Sequence, residues 1–245
     1  YDLQIESLAL QVGQIVRVQC LVRDTLPVSY GGPNAGQSGV QTFKIVSPED
    51  LLEQLIRRQM EITEEFARVV VMQEEVRASV RAARDALGGE QADPEARRRL
   101  AAAATSQEQI ATSCHAVTTQ LQAVLDEMNY NRVGEPATKR LTQRDVIEPL
   151  NEMAKKALRT LSAALSRASK LQEAAAMRAD ATEIADSLDG VYERMEAILK
   201  AMRQHESRQQ LANQVRILLK IAEKTREELE KKVKDEGQEV FEDDD

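Results

Sequence analysis

The sequence predicts a mainly α-helical protein: a long antiparallel coiled-coil helical bundle preceded by a small partial β-sandwich of about three strands. Three observations predict it. Aromatic residues make up only 3 % of the 245 residues, with no Trp, whereas 30 % are charged. Thick globular cores draw much of their buried area from aromatics, and a chain rich instead in Ala, Leu, Glu, Arg and Gln suits narrow helix–helix seams. Gly and Pro, which interrupt helices, number only 10 and 6. Beyond residue 47, finally, apolar residues recur in steps of three and four, the spacing that keeps one helix face toward a partner.

Residues 1–46 read as the closing strands of an antiparallel β-sandwich. Leu3 and Ile5, then Ile15 to Val22, then Val40, Phe43 and Ile45 mix alternation with β-branched runs. Gly13 marks a turn, and Pro27–Gly39, which contains Gly31-Gly32-Pro33-Asn34-Ala35-Gly36, reads as a loop. Three strands scarcely bury two faces, so opening strands are expected upstream.

Residues 47–238 read as the bundle, with helices expected at about 48–87, 94–129, 142–176 and 181–235 and an acidic tail at 239–245. Ser47-Pro48-Glu49-Asp50 combines an N-cap, a first-turn Pro and first-turn acids. A stripe then runs through Leu52, Leu55, Gln59, Ile62, Phe66, Val69, Gln73, Val76, Val80, Ala83 and Leu87 without a slip, and Gly88-Gly89 ends it. Asp93-Pro94 repeats the start signal. The second stripe is Leu100, Ala103, Gln107, Ile110, Cys114, Val117, Leu121, Val124 and Met128. The short link between the two predicts a helical hairpin.

Residues 129–141 read as a second connection and Thr142-Gln143-Arg144-Asp145 as a capping box. The third stripe passes through Ile147, Leu150, Ala154, Ala157, Leu161, Ala164, Ala168 and Leu171. Leu158 and Leu165 widen its apolar face, and Pro149 makes the helix start late or bend. A break is expected near Met177–Thr182. The last stripe runs Ile184, Leu188, Val191, Met195, Ile198, Met202 and His205, then slips and resumes at Leu211, Val215, Leu218, Ala222, Thr225 and Leu229.

The net charge is −8, unevenly spread: residues 131–180 carry ten basic against six acidic side chains, between acidic stretches on either side. That suggests charge-complementary packing within the bundle or with a second copy. It does not suggest nucleic-acid binding, which wants a concentrated basic face with stacking aromatics. No apolar run approaches the roughly 18 residues of a membrane helix. The chain starts at Tyr1 inside a strand-like pattern, and we read it as a piece of a longer protein.

No residue set predicts catalysis, a cofactor or a metal. Cys20 and Cys114 lie far apart and read as small buried hydrophobes. His115 is adjacent to Cys114, but neighbours on a helix point about 100° apart and cannot share a ligand. His205 reads as a seam histidine. The Gly-rich loop lacks the Lys and following helix of a phosphate cradle, and Arg97-Arg98-Arg99, Glu64-Glu65 and Glu74-Glu75 read as solvated faces. The seam glutamines Gln59, Gln73 and Gln107 stand out, because a polar side chain in an apolar seam lowers stability while setting register. Gln59 and Gln73 are expected to face inward and meet polar partners, with Gln107 the candidate across the hairpin. Replacing Gln73 by Leu is then expected to raise the melting temperature.

One resemblance adds to this. Leu8-x-Leu10-x-x-Gly13-x-x-Val16, Arg23-Asp24, Gly32-Pro33-Asn34-x-Gly36-x-Ser38 and Phe43-x-Ile45 lead into Pro48-Glu49-Asp50-Leu51-Leu52. This order resembles a junction in large bacterial membrane-anchored proteins of unknown function. In those proteins transmembrane helices precede Ig-like repeats, and a long coiled coil comes after them. The likeness covers residues 1–75 best. It implies upstream membrane helices, an extracytoplasmic place in the cell envelope and a scaffolding role, and it carries over no functional residue.

The functional expectation is a non-enzymatic interaction module that self-associates or docks a helical protein partner. Its interaction seam is Leu52, Leu55, Gln59, Ile62, Phe66, Val69, Gln73, Val76, Gln107, Ile110, Cys114, Val117, Leu121, Ile198, Met202 and Leu218. Any membrane attachment lies in segments outside this chain. The alternative is a regulatory sensor that transmits a register shift along the helices.

Overall fold

The computed structural model describes the backbone of residues 8–88 and 93–242, with side chains through residue 232. The expected strand residues Leu3 and Ile5, the helix-ending Gly89 and tail residues 243–245 lie outside the described residues. The chain divides into two units, Tyr1–Leu52 and Glu53–Asp245.

The first unit contains two separate two-stranded antiparallel ladders. β1 (Ile15–Val18) pairs with β4 (Gln41–Lys44), with Val16 opposite Phe43, and β2 (Leu21–Arg23) pairs with β3 (Ala35–Gln37). The run Ile15–Val22 therefore splits into two strands. The expected loop Pro27–Gly39 contains a 3-10 turn, Val28–Tyr30, and the strand β3. Asp24 organises the segment between β2 and β3: its carboxylate accepts from the Leu26 and Asn34 backbone N–H groups and from the Asn34 amide. Those bonds hold its carboxyl below the usual carboxylate range. Strands this short bury little, and Ile15, Leu21, Val22, Val40 and Phe43 are all exposed.

The second unit is helical. α1 spans Pro48–Ala86, and Ser47 Oγ accepts from the Asp50 N–H at 3.1 Å to cap it. α2 spans Pro94–Tyr130, capped by Asp93, whose carboxylate accepts from the Glu95 N–H at 2.9 Å. The third helical stretch departs from expectation. It begins at Pro136 rather than Thr142, so the connection is only Asn131–Glu135. Thr142 is no cap: it is buried within the helix, and its hydroxyl donates to the Thr138 carbonyl at 3.1 Å.

Pro149 makes this stretch irregular. Proline lacks the N–H that would address residue 145, and its ring collides with that carbonyl in a regular helix. The chain meets both problems with a π-turn at Gln143–Ile147, in which the Glu148 N–H reaches back five residues to Gln143 O. α3 (Pro136–Thr142) therefore passes through this wider turn into α4 (Glu148–Lys155). A second irregularity at Lys156, with φ −115° and ψ −73°, separates α4 from α5 (Ala157–Ala168). α6 runs from Ala174 to Glu242 as one helix. The break expected near Met177–Thr182 falls instead at Ser169–Glu173, where Arg97 of α2 donates to the Gln172 carbonyl at 3.2 Å.

Neighbouring helices in the second unit are antiparallel, since residue numbers rise along one as they fall along the next. Arg58 meets Glu127 and Gln73 meets Gln107 between α1 and α2. Ser162 donates to Ala104 O between α5 and α2, and Arg77 meets Asp189 while Gln210 meets Met60 between α6 and α1. The two described stripes of α1 and α2 are buried throughout, as is Ile184 to His205 of α6. On α4 and α5 the buried face runs Leu150, Ala154, Leu158, Leu161, Leu165 and Ala168. Leu158 and Leu165, outside the stripe read from the sequence, are fully inside, whereas Ala157 and Ala164 are only half-buried.

Candidate functional site

Fifteen of the sixteen residues expected to form the interaction seam are buried: Leu52 through Val76, Gln107 through Leu121, Ile198 and Met202. Burial places them in this chain's own interior, so they are not on offer to a partner. Leu218 is different, at 65 % exposed.

Gln73 and Gln107 lie at the centre of the α1–α2 seam, both fully buried. Each amide N–H₂ donates to the other's carbonyl oxygen, at 3.3 and 3.1 Å. Gln59 is also buried, yet its Oε1 has no hydrogen-bond partner. It belongs instead to a polar layer near the N-terminal end of α1, with Thr63, Thr142, His205, Glu206 and Gln209 around a small cavity closed by Leu121, Val146 and Met202. Thr63 and Glu206 are hydrogen-bonded across that layer. Burial pushes the His205 imidazole below its ordinary value against the opposing pull of Asp145, whose carboxylate is 3.7 Å from Nε2. Burial likewise pushes the Glu206 carboxyl up.

A second polar cluster sits on the α1–α6 flank. Asp189 accepts from Arg77 Nε at 2.8 Å and from Arg81 Nη2 at 2.7 Å, and the Arg77 guanidinium lies 4.2 Å over the Tyr192 ring. Burial alone would raise the Asp189 carboxyl; the Arg81 and Arg77 bonds hold it below the usual range. Nothing in the sequence pattern singles out this cluster, since Asp189 lies more than a hundred residues from its partners.

Placement corrects some of the other expectations. Cys20 is exposed, next to the strand β2 whose residues are all exposed. Cys114 is buried in the seam as expected, and its thiol is pushed up to about 12 by burial. Arg98 and Arg99 pair with Glu95 on the surface, but Arg97 ties α2 to the α5–α6 connection.

The remaining feature is the C-terminal part of α6. Among the described residues Gln209 is the last buried one of α6; every described residue from Val215 to Lys232 is exposed, although the helix continues unbroken. Leu211, Val215, Leu218, Ala222, Thr225 and Leu229 keep the three-four spacing, so they share one face, flanked by Ile217, Leu219 and Ile221. The opposite face carries Arg216, Glu223, Glu227 and Glu230. The stripe covers about 27 Å of helix at roughly 1.5 Å per residue. A contiguous apolar stripe of this kind is rarely left exposed on a single folded chain. Among the described residues no helix is long and apolar enough to cross a membrane, and no cluster of three or more His, Cys, Asp or Glu is placed to hold a metal ion.

Comparison with protein-family models, with curated proteins and with solved structures finds no match to this chain.

Proposed function

We propose that this chain is a non-enzymatic self-association module of a scaffold, in which the C-terminal part of α6 coils antiparallel against the same segment of a second copy. One observation carries the reading: an unbroken helix leaves its own bundle at Gln209 while its apolar stripe continues to Leu229 with no cover.

The charge along that helix favours a second copy. Residues 211–226 carry four basic and one acidic side chain, and residues 227–245 carry three basic and ten acidic. Parallel tails would set like charge beside like; antiparallel tails bring the basic stretch toward the acidic one. The envelope setting and membrane attachment through a preceding segment belong to this reading on the strength of the sequence resemblance alone.

Sedimentation velocity on the full chain tests it. A dimer that Leu218→Glu converts to monomer, without change in helical content, is the expected result. A wild-type monomer at every concentration, or a dimer indifferent to Leu218→Glu, refutes it. A complex formed only with a different helical protein would replace the second copy as occupant.

A second reading, a sensor that transmits a change along the helices, is favoured by the position of His205 and Glu206 at the point where α6 leaves the bundle. Dimerisation that tracks the protonation of His205 would support it.

A further inference from the structure

We infer that Gln59, His205 and Gln209 together bind a single internal water molecule, so that the bundle ends in a hydrated layer rather than an apolar one.

Three side chains, each more than nine-tenths buried, line one cavity and carry polar atoms without a hydrogen-bond partner. They are Gln59 Oε1 from α1, Gln209 Oε1 from α6 and the imidazole nitrogens of His205. They border a cavity of about 10 Å³ between α1, α2, the π-turn and α6. That is about the space one water needs, and too little for a hydrated ion. Leaving such atoms unmet is costly, because each has given up its bonds to bulk water on folding and gains none in return.

The donor–acceptor count selects the guest. The two amide oxygens accept only, so neither can satisfy the other. A neutral imidazole supplies one N–H and one acceptor nitrogen. A water donates its two hydrogens to Gln59 Oε1 and Gln209 Oε1 and accepts the imidazole N–H, which meets three of the four unpartnered atoms. An anion cannot donate to the amide oxygens, a bare cation leaves the N–H unmet, and an apolar guest satisfies none of them. The π-turn lines the same cavity through Val146 and adjoins it at Thr142.

Water ¹⁷O relaxation dispersion on the full chain counts long-lived internal waters and tests the assignment. The wild type is expected to hold one more such water than the Gln59→Leu/Gln209→Leu variant, in which both acceptors are gone and leucine fills the space. A crystal structure showing ordered solvent should place that water within hydrogen-bonding distance of all three side chains. An equal count in the two proteins overturns the inference. So does a crystal structure in which Gln59 and Gln209 turn to bond each other or the backbone.

Discussion

Gln73 and Gln107 meet reciprocally across the α1–α2 seam, each donating one amide hydrogen to its partner and accepting one from it in full burial. This reciprocity reverses the expectation for a single substitution. Gln73→Leu leaves the Gln107 amide buried and unmet, so it should destabilise the fold by about 1–3 kcal/mol rather than raise its melting temperature. The double variant Gln73→Leu/Gln107→Leu removes both polar groups and should recover that loss or exceed wild type. Chemical denaturation of the three proteins decides the matter through the non-additivity of the cycle.

Asp189 bridges Arg77 and Arg81, and Asp189→Asn should cost roughly 1 kcal/mol. That is the low end for charge-assisted bonds, because the carboxylate is 34 % exposed and partly screened. Its folded-state pKa lies below the unfolded value. The stabilisation is therefore present above the unfolded carboxylate range and is lost as pH falls through the folded value. Acid denaturation of wild type and Asp189→Asn should converge at low pH. A gap that persists there would contradict the assignment.

His205 has the opposite sign of dependence from a salt-bridged histidine. Burial lowers its folded pKa, so the unfolded chain takes the proton first. Stability from the neutral imidazole is present above the unfolded value of about 6.5 and declines as pH falls below it. Asp145, 3.7 Å away, tempers the decline, while Arg144 and Arg208 deepen it. Melting temperatures between neutral and mildly acid pH should fall in wild type and fall less in His205→Gln. Parallel curves would show that His205 does not titrate on unfolding.

Cys20 is exposed and Cys114 is buried with its thiol pushed up to about 12. The thiolate is the reacting form. Iodoacetamide on the native protein should therefore modify Cys20 and spare Cys114 until the bundle opens. Peptide mass spectrometry after timed quenching reads the difference.

The stripes of α1 and α2 were legible because a regular spacing through Leu55, Ile62 and Phe66, or Ile110, Val117 and Leu121, leaves one geometrical solution. The polar seam positions Gln59, Gln73 and Gln107 were legible as exceptions to that spacing. What covers a stripe was not. Met195–Ile198–Met202 and Leu211–Val215–Leu218 carry the same pattern, yet the first is interior and the second exposed. Periodicity records a face, and only the lengths of the neighbouring helices decide whether this chain covers it. Pro149 signalled an irregularity but not its form, and the strand unit, with little to bury, left too weak a pattern to separate β1 from β2 or to find β3.

The five-residue reach from Glu148 back to Gln143 amounts to a one-residue insertion absorbed locally, because a helix with one extra amino acid in a widened loop keeps the faces before and after it aligned. The coding length of this stretch is therefore adjustable. Removing a single codon between Gln143 and Ile147, with Pro149→Ala to restore the missing donor, should knit α3 and α4 into one regular helix and leave Leu150, Ala154 and Leu158 in place. The same deletion in the middle of α2, which has no such slack, would swing every later side chain by about 100° and turn the seam toward water.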